Sequence, residues 1–214
     1  MEATLVRHGE SMGNALNVYQ GWGDFGLTEL GRRQAKVTKE RLADTRYDRI
    51  LVSDADRAVE TANLLFSRQT QLIEPCRSLR GLDCGALCGL TEEQAQEAFG
   101  GLFTKRKDFD FTPFHGEDPY SMVNRIHQLM GELEAGPHES VAIVTHGGPI
   151  RAMLFYILEL DFVTHFRQFD LCNCGISKIR CKDNAWRILT INDCYHLADA
   201  RVSVGASVPT VDGI

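Results

Sequence analysis

No run in the 214-residue sequence approaches the roughly 20 consecutive apolar residues that a membrane-spanning helix requires. No basic stretch followed by a long apolar one opens the chain: Met1 to Val6 reads directly into a β-prone run, so a signal peptide is not expected and a cytoplasmic protein is. Positive charge is not in excess either. Lys and Arg number 23 against 29 Asp and Glu, a formal net charge of -6, so the totals imply no basic face for a nucleic-acid backbone. Paired C-x-x-C spacing is missing, and the seven cysteines are an odd number. Neither a structural zinc site nor a disulfide framework is expected, and the thiols read as reduced and mostly structural. Internal repeats and low-complexity segments are absent. Membrane, nucleic acid and a structural metal site therefore fall outside the expectation, and nothing in the pattern specifies an oligomeric state.

What the sequence does contain is alternation. Short apolar runs at Ala3–Arg7, Arg49–Ser53, Gln71–Glu74 and Val141–Thr145 read as strands. Helical patterns separate them at Glu29–Leu42, where Thr28 can cap, and at Ala55–Phe66, Thr91–Phe99, Pro119–Leu133 and about Pro149 to Leu158. Gly175–Cys181 and Trp186–Ile191 read as a terminal pair around Lys182-Asp183-Asn184. Gly100–Asp118 is irregular and reads as part of a lid-like insertion over about 91–135, and the tail from Ala200 is weakly patterned. The expectation is one α/β domain over 1–214: a three-layer sandwich with a mostly parallel central sheet and helices on both faces. Ligands of such sheets bind beyond the carboxyl ends of the strands, so chemistry is sought there.

Three strand ends carry groups suited to phosphate: Arg7-His8-Gly9-Glu10-Ser11, Ser53-Asp54-Ala55-Asp56-Arg57 and Thr145-His146-Gly147-Gly148. Each alone is an ordinary turn. Together they bring two histidines and two arginines to one sheet edge. A phosphoryl dianion repels anionic nucleophiles and calls for a rigid cationic clamp, which the planar fork of arginine supplies. A neutral imidazole can attack phosphorus and form a phosphohistidine, and neighbouring arginines favour its neutral form.

The run Leu5-Val6-Arg7-His8-Gly9-Glu10-Ser11 with Asn14 resembles the histidine phosphatase superfamily, in the branch that includes phosphoglycerate mutases. Gly21-Trp22-Gly23-Asp24, Leu27-Thr28-Glu29-Leu30-Gly31, Ser53…Arg57-Ala58, Gly85…Gly89, Thr145-His146-Gly147-Gly148 and Asn173-Cys174-Gly175-Ile176-Ser177 extend the resemblance from about Thr4 to Leu197. It implies His8 as the phosphorylated nucleophile, Arg7 and Arg57 as phosphate ligands, His146 as a further partner to the phosphoryl oxygens, Asn14 as a donor and Gly147 as a backbone contact, with no cofactor. The family's acid lies in a segment like L-x-E-x-x-x-G, which here reads Leu79-Arg80-Gly81-Leu82-Asp83-Cys84-Gly85, with glycine at the acid position. Asp83 is the expected substitute, on the ground that residues 81 and 83 of a strand share a face; Glu10 and Glu117 are alternatives. His115-Gly116-Glu117-Asp118 with Arg125 resembles the phosphatase members, so the resemblance implies a phosphomonoesterase acting on a small phosphorylated metabolite. A phosphoglycerate mutase, and a phospho-ligand binding protein that lost its acid, are the rival readings. Phe99, Phe103, Phe109, Phe111 and Phe114 either shape an apolar leaving-group pocket or pack the lobe onto the core.

Overall fold

The computed structural model describes residues 1–198. Six strands form one sheet: β1 (Glu2–Arg7), β2 (Arg49–Val52), β3 (Ile73–Pro75), β4 (Ser140–Thr145), β5 (Ile176–Lys182) and β6 (Ala185–Asp193), in the order β3-β2-β4-β1-β5-β6. The pairs β2–β3, β2–β4 and β1–β4 are parallel, and the two hairpin-side pairs β1–β5 and β5–β6 are antiparallel. The α/β expectation holds, with a parallel half that places the ends of β1, β2 and β4 side by side.

Period-2 alternation sorts the central strands into two faces. Ala3, Leu5, Leu51, Val141 and Ile143 face one core, shared with Met122, Ile126 and Met130 of α6 (Pro119–Ala135) and Ile150, Met153 and Leu154 of α7 (Gly147–Leu158). Val6, Ile50, Val52, Ala142 and Val144 face the other, against Ala58, Ala62 and Leu65 of α3 (Asp56–Leu65). α2 (Glu29–Arg41) packs on α3, and Thr28 caps it by accepting from Gly31 N. A short α1 (Met12–Ala15) follows β1, and α4 (Glu92–Phe99), α5 (Gly101–Lys105) and α8 (Phe162–His165) complete the helices.

The differences from the sequence reading are local. The third strand starts two residues later than expected, because a 3₁₀ turn occupies Thr70–Leu72. The lobe expected over about 91–135 is smaller, since the buried stripe of α6 belongs to a core layer packed on α7. Phe103, Phe111 and Phe114 are buried, Phe99 packs on Phe114, and Phe109 packs on Phe162 and Phe166. The aromatics therefore hold the lobe to the body. Asp183 and Asn184 both adopt positive φ, the geometry a two-residue hairpin needs. The weakly patterned tail from Ala200 lies outside the described residues.

One close approach fixes the loop after β1. A Cβ on Gly31 would overlap the backbone of Glu10, and one on Gly9 would sit 2.6 Å from Gly31 O. The first turn of α2 thus presses directly on the Gly9–Glu10 backbone, which Thr28 N, Gln34 Oε1 and Thr61 Oγ1 also hold. A Gly31→Ala change is expected to cost about 1–3 kcal/mol. Urea denaturation measures the loss, and activity should fall even where the protein remains folded, because the displaced loop carries His8.

Candidate active site

His8 follows the last residue of β1 and is 1% exposed. Its Nδ1 lies 2.8 Å from Gly9 O. A carbonyl can only accept, so Nδ1 carries the hydrogen and Nε2 presents its lone pair. Nε2 is buried and has no hydrogen-bond partner among the described residues. Burial, then Arg57, then Arg7 hold the imidazole well below its ordinary range and keep it neutral.

The two arginines are anchored through backbone carbonyls. Arg57, in the first turn of α3, donates to Gly23 O at 3.1 Å and to Gly21 O at 3.0 Å. Burial brings its pKa down to about 10, so it stays cationic at neutral pH. Arg7, the last residue of β1, donates through Nη1 to Leu171 O. The Arg57 anchors are backbone carbonyls, so these bonds orient its guanidinium without neutralising it.

His146 follows the last residue of β4 and stands at the N-cap of α7. Its ring meets that of His8 edge-on, with centroids 5.0 Å apart. His146 Nε2 lies 2.8 Å from Ser53 Oγ, and burial followed by Arg57, His8 and Arg7 lowers its pKa well below the usual value. Gly147 begins α7 one residue later, with Arg7 Nε 3.9 Å from where its Cβ would stand. The free N–H groups and positive dipole end of this 12-residue helix therefore open beside Arg7.

Asn14 uses Oδ1 to accept from Ser11 N, Ser11 Oγ and Asn173 Nδ2, at 3.1, 2.9 and 3.3 Å. That leaves its Nδ2 as the donor the site can use. Asn173 Nδ2 also donates to His8 O at 2.9 Å, while Cys174 N donates to Arg7 O at 2.9 Å. The loop before β5 is thus tied to both site residues of β1.

The acid position differs from expectation in a specific way. Gly81 through Cys84 is irregular rather than a strand, so the shared-face argument for Asp83 does not apply. Asp83 Oδ1 accepts from Gly85 N at 3.0 Å, a turn-stabilising role. Glu117 pairs with Arg125 at 3.0 Å and also accepts from Asp83 N, while Glu10 accepts from Thr28 Oγ1 at 2.7 Å. Gly81 O is held by Trp22 Nε1 and by Arg125 Nη2, both at 2.9 Å. Arg125 also reaches Ser78 O and Arg80 O, so one guanidinium pins the whole segment.

Ser53, Asn173 and Arg125 carry structural weight that sequence reasoning did not assign. Ser53 was readable as a neighbour of His146, since both stand at the ends of adjacent parallel strands. The reach of Arg125 from α6 to the 78–81 carbonyls left no signal in spacing. Among the described residues no group of three or more His, Cys, Asp or Glu side chains could hold a metal ion, and no helix is long and apolar enough to cross a membrane.

Comparison with known proteins identifies the family and the fold. The profile of the histidine phosphatase superfamily (branch 1) matches residues 3–194. A probable phosphoglycerate mutase GpmB of Proteus mirabilis (strain HI4320) is 30% identical over 93% of this chain and 96% of its own. A metal-independent phosphoserine phosphatase of Arabidopsis thaliana is 30% identical over 92% of this chain and 83% of its own. The solved structure of Bacillus stearothermophilus YhfR superposes with a TM-score of 0.83 at 24% identity, covering 91% of this chain and 98% of that one, which shows the shared fold. With a profile match across nearly the whole described chain, the protein belongs to the histidine phosphatase superfamily, branch 1, and is an enzyme of the histidine phosphatase type.

Proposed function

We propose that the chain is a phosphomonoesterase that hydrolyses a small phosphorylated metabolite through a phosphohistidine on His8. The observation that carries this reading is the His8 ring: Nδ1 is committed to Gly9 O, Nε2 is buried with no hydrogen-bond partner among the described residues, and Arg57 and Arg7 help to keep the ring neutral. In this reading Nε2 attacks phosphorus, and the leaving oxygen departs opposite to it. Arg7 and Arg57 balance the charge on the phosphoryl oxygens, together with Asn14 Nδ2 and the Gly147 N–H. His146 adds a donor once a phosphoryl oxygen takes the place of Ser53 as its partner. Water then attacks the phosphohistidine and frees His8. Relatives named as phosphoserine phosphatase and glucosyl-3-phosphoglycerate phosphatase support the monoesterase reading.

Position 81 supplies no side-chain proton, and Asp83 and Glu117 are engaged as acceptors by Gly85 N and Arg125. Rate should therefore depend steeply on how easily the leaving group departs unprotonated. Two outcomes are expected, and a third would redirect the assignment. His8→Ala lowers kcat on an aryl phosphate by about 10³-fold or more, measured by phosphate release; retained hydrolysis contradicts the assignment. Gly81→Glu accelerates alkyl phosphates by about 10²-fold and leaves activated aryl phosphates nearly unchanged; equal effects on both contradict the acid-free account. Isomerisation of a phosphoglycerate stimulated by a bisphosphorylated primer, in place of hydrolysis, would instead select the mutase reading.

The neutral ring also has a thermodynamic signature. His8 in the folded chain stays unprotonated, whereas in the unfolded chain it binds a proton near its ordinary value. The unfolded state then holds more protons below pH 6.5, so stability falls as pH drops through that value. Urea titrations should show the wild type losing about 1 kcal/mol more than His8→Asn between pH 6.5 and 5.5. Equal losses would mean that His8 takes up its proton in the folded protein just as it does in the unfolded chain.

A further inference from the structure

Two cysteines that the phosphoryl chemistry does not use converge on the loop that anchors Arg7. Cys172, four residues before β5, and Cys194, next after β6, flank the open end of the β5–β6 hairpin and meet at the side chain of Asn192. Asn192 Nδ2 lies 3.6 Å from Cys172 Sγ, and Cys194 Sγ donates to Asn192 Oδ1 at 3.3 Å. Asn192 Oδ1 also accepts from Cys172 N at 2.8 Å. Gly175 closes the cluster from below: a Cβ there would meet Cys172 O at 2.9 Å and Cys194 Sγ at 3.2 Å. Both cysteines are partly exposed and neither is in a disulfide.

We propose that Cys172 and Cys194 form a reversible modification site for hydroperoxides, with Cys172 as the attacking sulfur and Cys194 as the resolving one. The Cys172 thiolate attacks one peroxide oxygen and the O–O bond breaks. The other oxygen leaves with a proton as water or an alcohol, and Cys172 becomes a sulfenic acid. Cys194 then gives up its proton and attacks Cys172 Sγ. The S–O bond breaks, the hydroxyl leaves as water and the disulfide forms. The net change is two thiols and one hydroperoxide to one disulfide, one alcohol or water, and one water.

The surroundings select this pair over the other thiols. The neighbouring Cys194 side chain first, then Asn192, with help from Arg7, lowers the pKa of Cys172 below the usual thiol range. The same interaction raises that of Cys194, which fits the order of attack and resolution. Cys174, two residues away, is fully buried and held protonated, pushed up to about 12. Burial likewise pushes Cys84 up.

Oxidation here reaches the clamp through short covalent distance. Leu171, next to Cys172, supplies the carbonyl that Arg7 Nη1 bonds, and Cys174 N bonds Arg7 O. Cys174 and Asn192 already sit at positive φ, 58° and 51°, so both segments are tightly turned. Drawing the sulfurs to bonding distance breaks the Asn192 contacts and shifts the Leu171 carbonyl. The disulfide form should hold a phosphoryl group less well.

The test treats the reduced full-length protein with hydrogen peroxide and maps cysteines by mass spectrometry. A Cys172–Cys194 crosslink that dithiothreitol reverses is the expected product. Cys194→Ser, or Cys194→Ala where serine impairs folding, should leave Cys172 as a sulfenic acid that dimedone captures, and Cys172→Ser should give neither product. Prior oxidation of Cys88 or another cysteine, or no crosslink in the folded protein, overturns the site. The kinetic arm rests on the phosphatase reading: the oxidised form should show a several-fold rise in KM for an aryl phosphate, reversed by reduction. A crosslink with unchanged kinetics overturns the link to Arg7. Orthovanadate binding to the two redox forms reads that link even if no ester is hydrolysed, so the two proposals fail separately.

Discussion

The hydrogen bond from His8 Nδ1 to Gly9 O organises the site. It fixes the tautomer and leaves Nε2 as the atom with its lone pair unused. Burial and two nearby guanidiniums then keep the ring neutral, the protonation state a nucleophile needs. The bond depends on the Gly9–Glu10 turn, and that turn is wedged against the first turn of α2. A backbone contact between two glycine-containing segments therefore controls the direction of a side chain several bonds away.

The sheet topology does the remaining placement. β1 and β4 are parallel neighbours and β2 flanks β4, so Arg7, Val52 and Thr145 end their strands at one edge, with Ser53 next after Val52. The residues that follow, His8 and His146, share that edge, and α3 returns Arg57 to it. The antiparallel β5 adds a different kind of support. Its approach loop brackets β1 through Leu171, Asn173 and Cys174 and so holds the clamp from the side that the parallel strands leave open.

Much of this arrangement was legible in the sequence because the cues were local. Val141 to Thr145 is an apolar run ending in a polar residue before glycines, and its strand and helix follow from that pattern. The convergence of His8, Arg57 and His146 could be read because each sits just after a buried run in a parallel sheet. The strand argument for Asp83 failed for an equally physical reason. The two-residue alternation applies only to a strand, and the 79–85 segment is instead pinned in an irregular path by Arg125, a residue 44 positions from Gly81 in sequence. Long-range bonds from a side chain to main-chain carbonyls leave no periodicity to detect. The same holds for Asn192, which joins two cysteines that spacing alone did not connect.

The central claim is that His8 Nε2 takes the phosphoryl group. Mixing the enzyme with an aryl phosphate, quenching in alkali within the first turnover and mapping peptides by mass spectrometry tests it most directly. The account predicts a phosphoryl group on Nε2 of His8 that survives alkali, is lost in acid and forms no more slowly than phosphate is released. Turnover with the label on another residue, or with no phosphoenzyme at all, would contradict it.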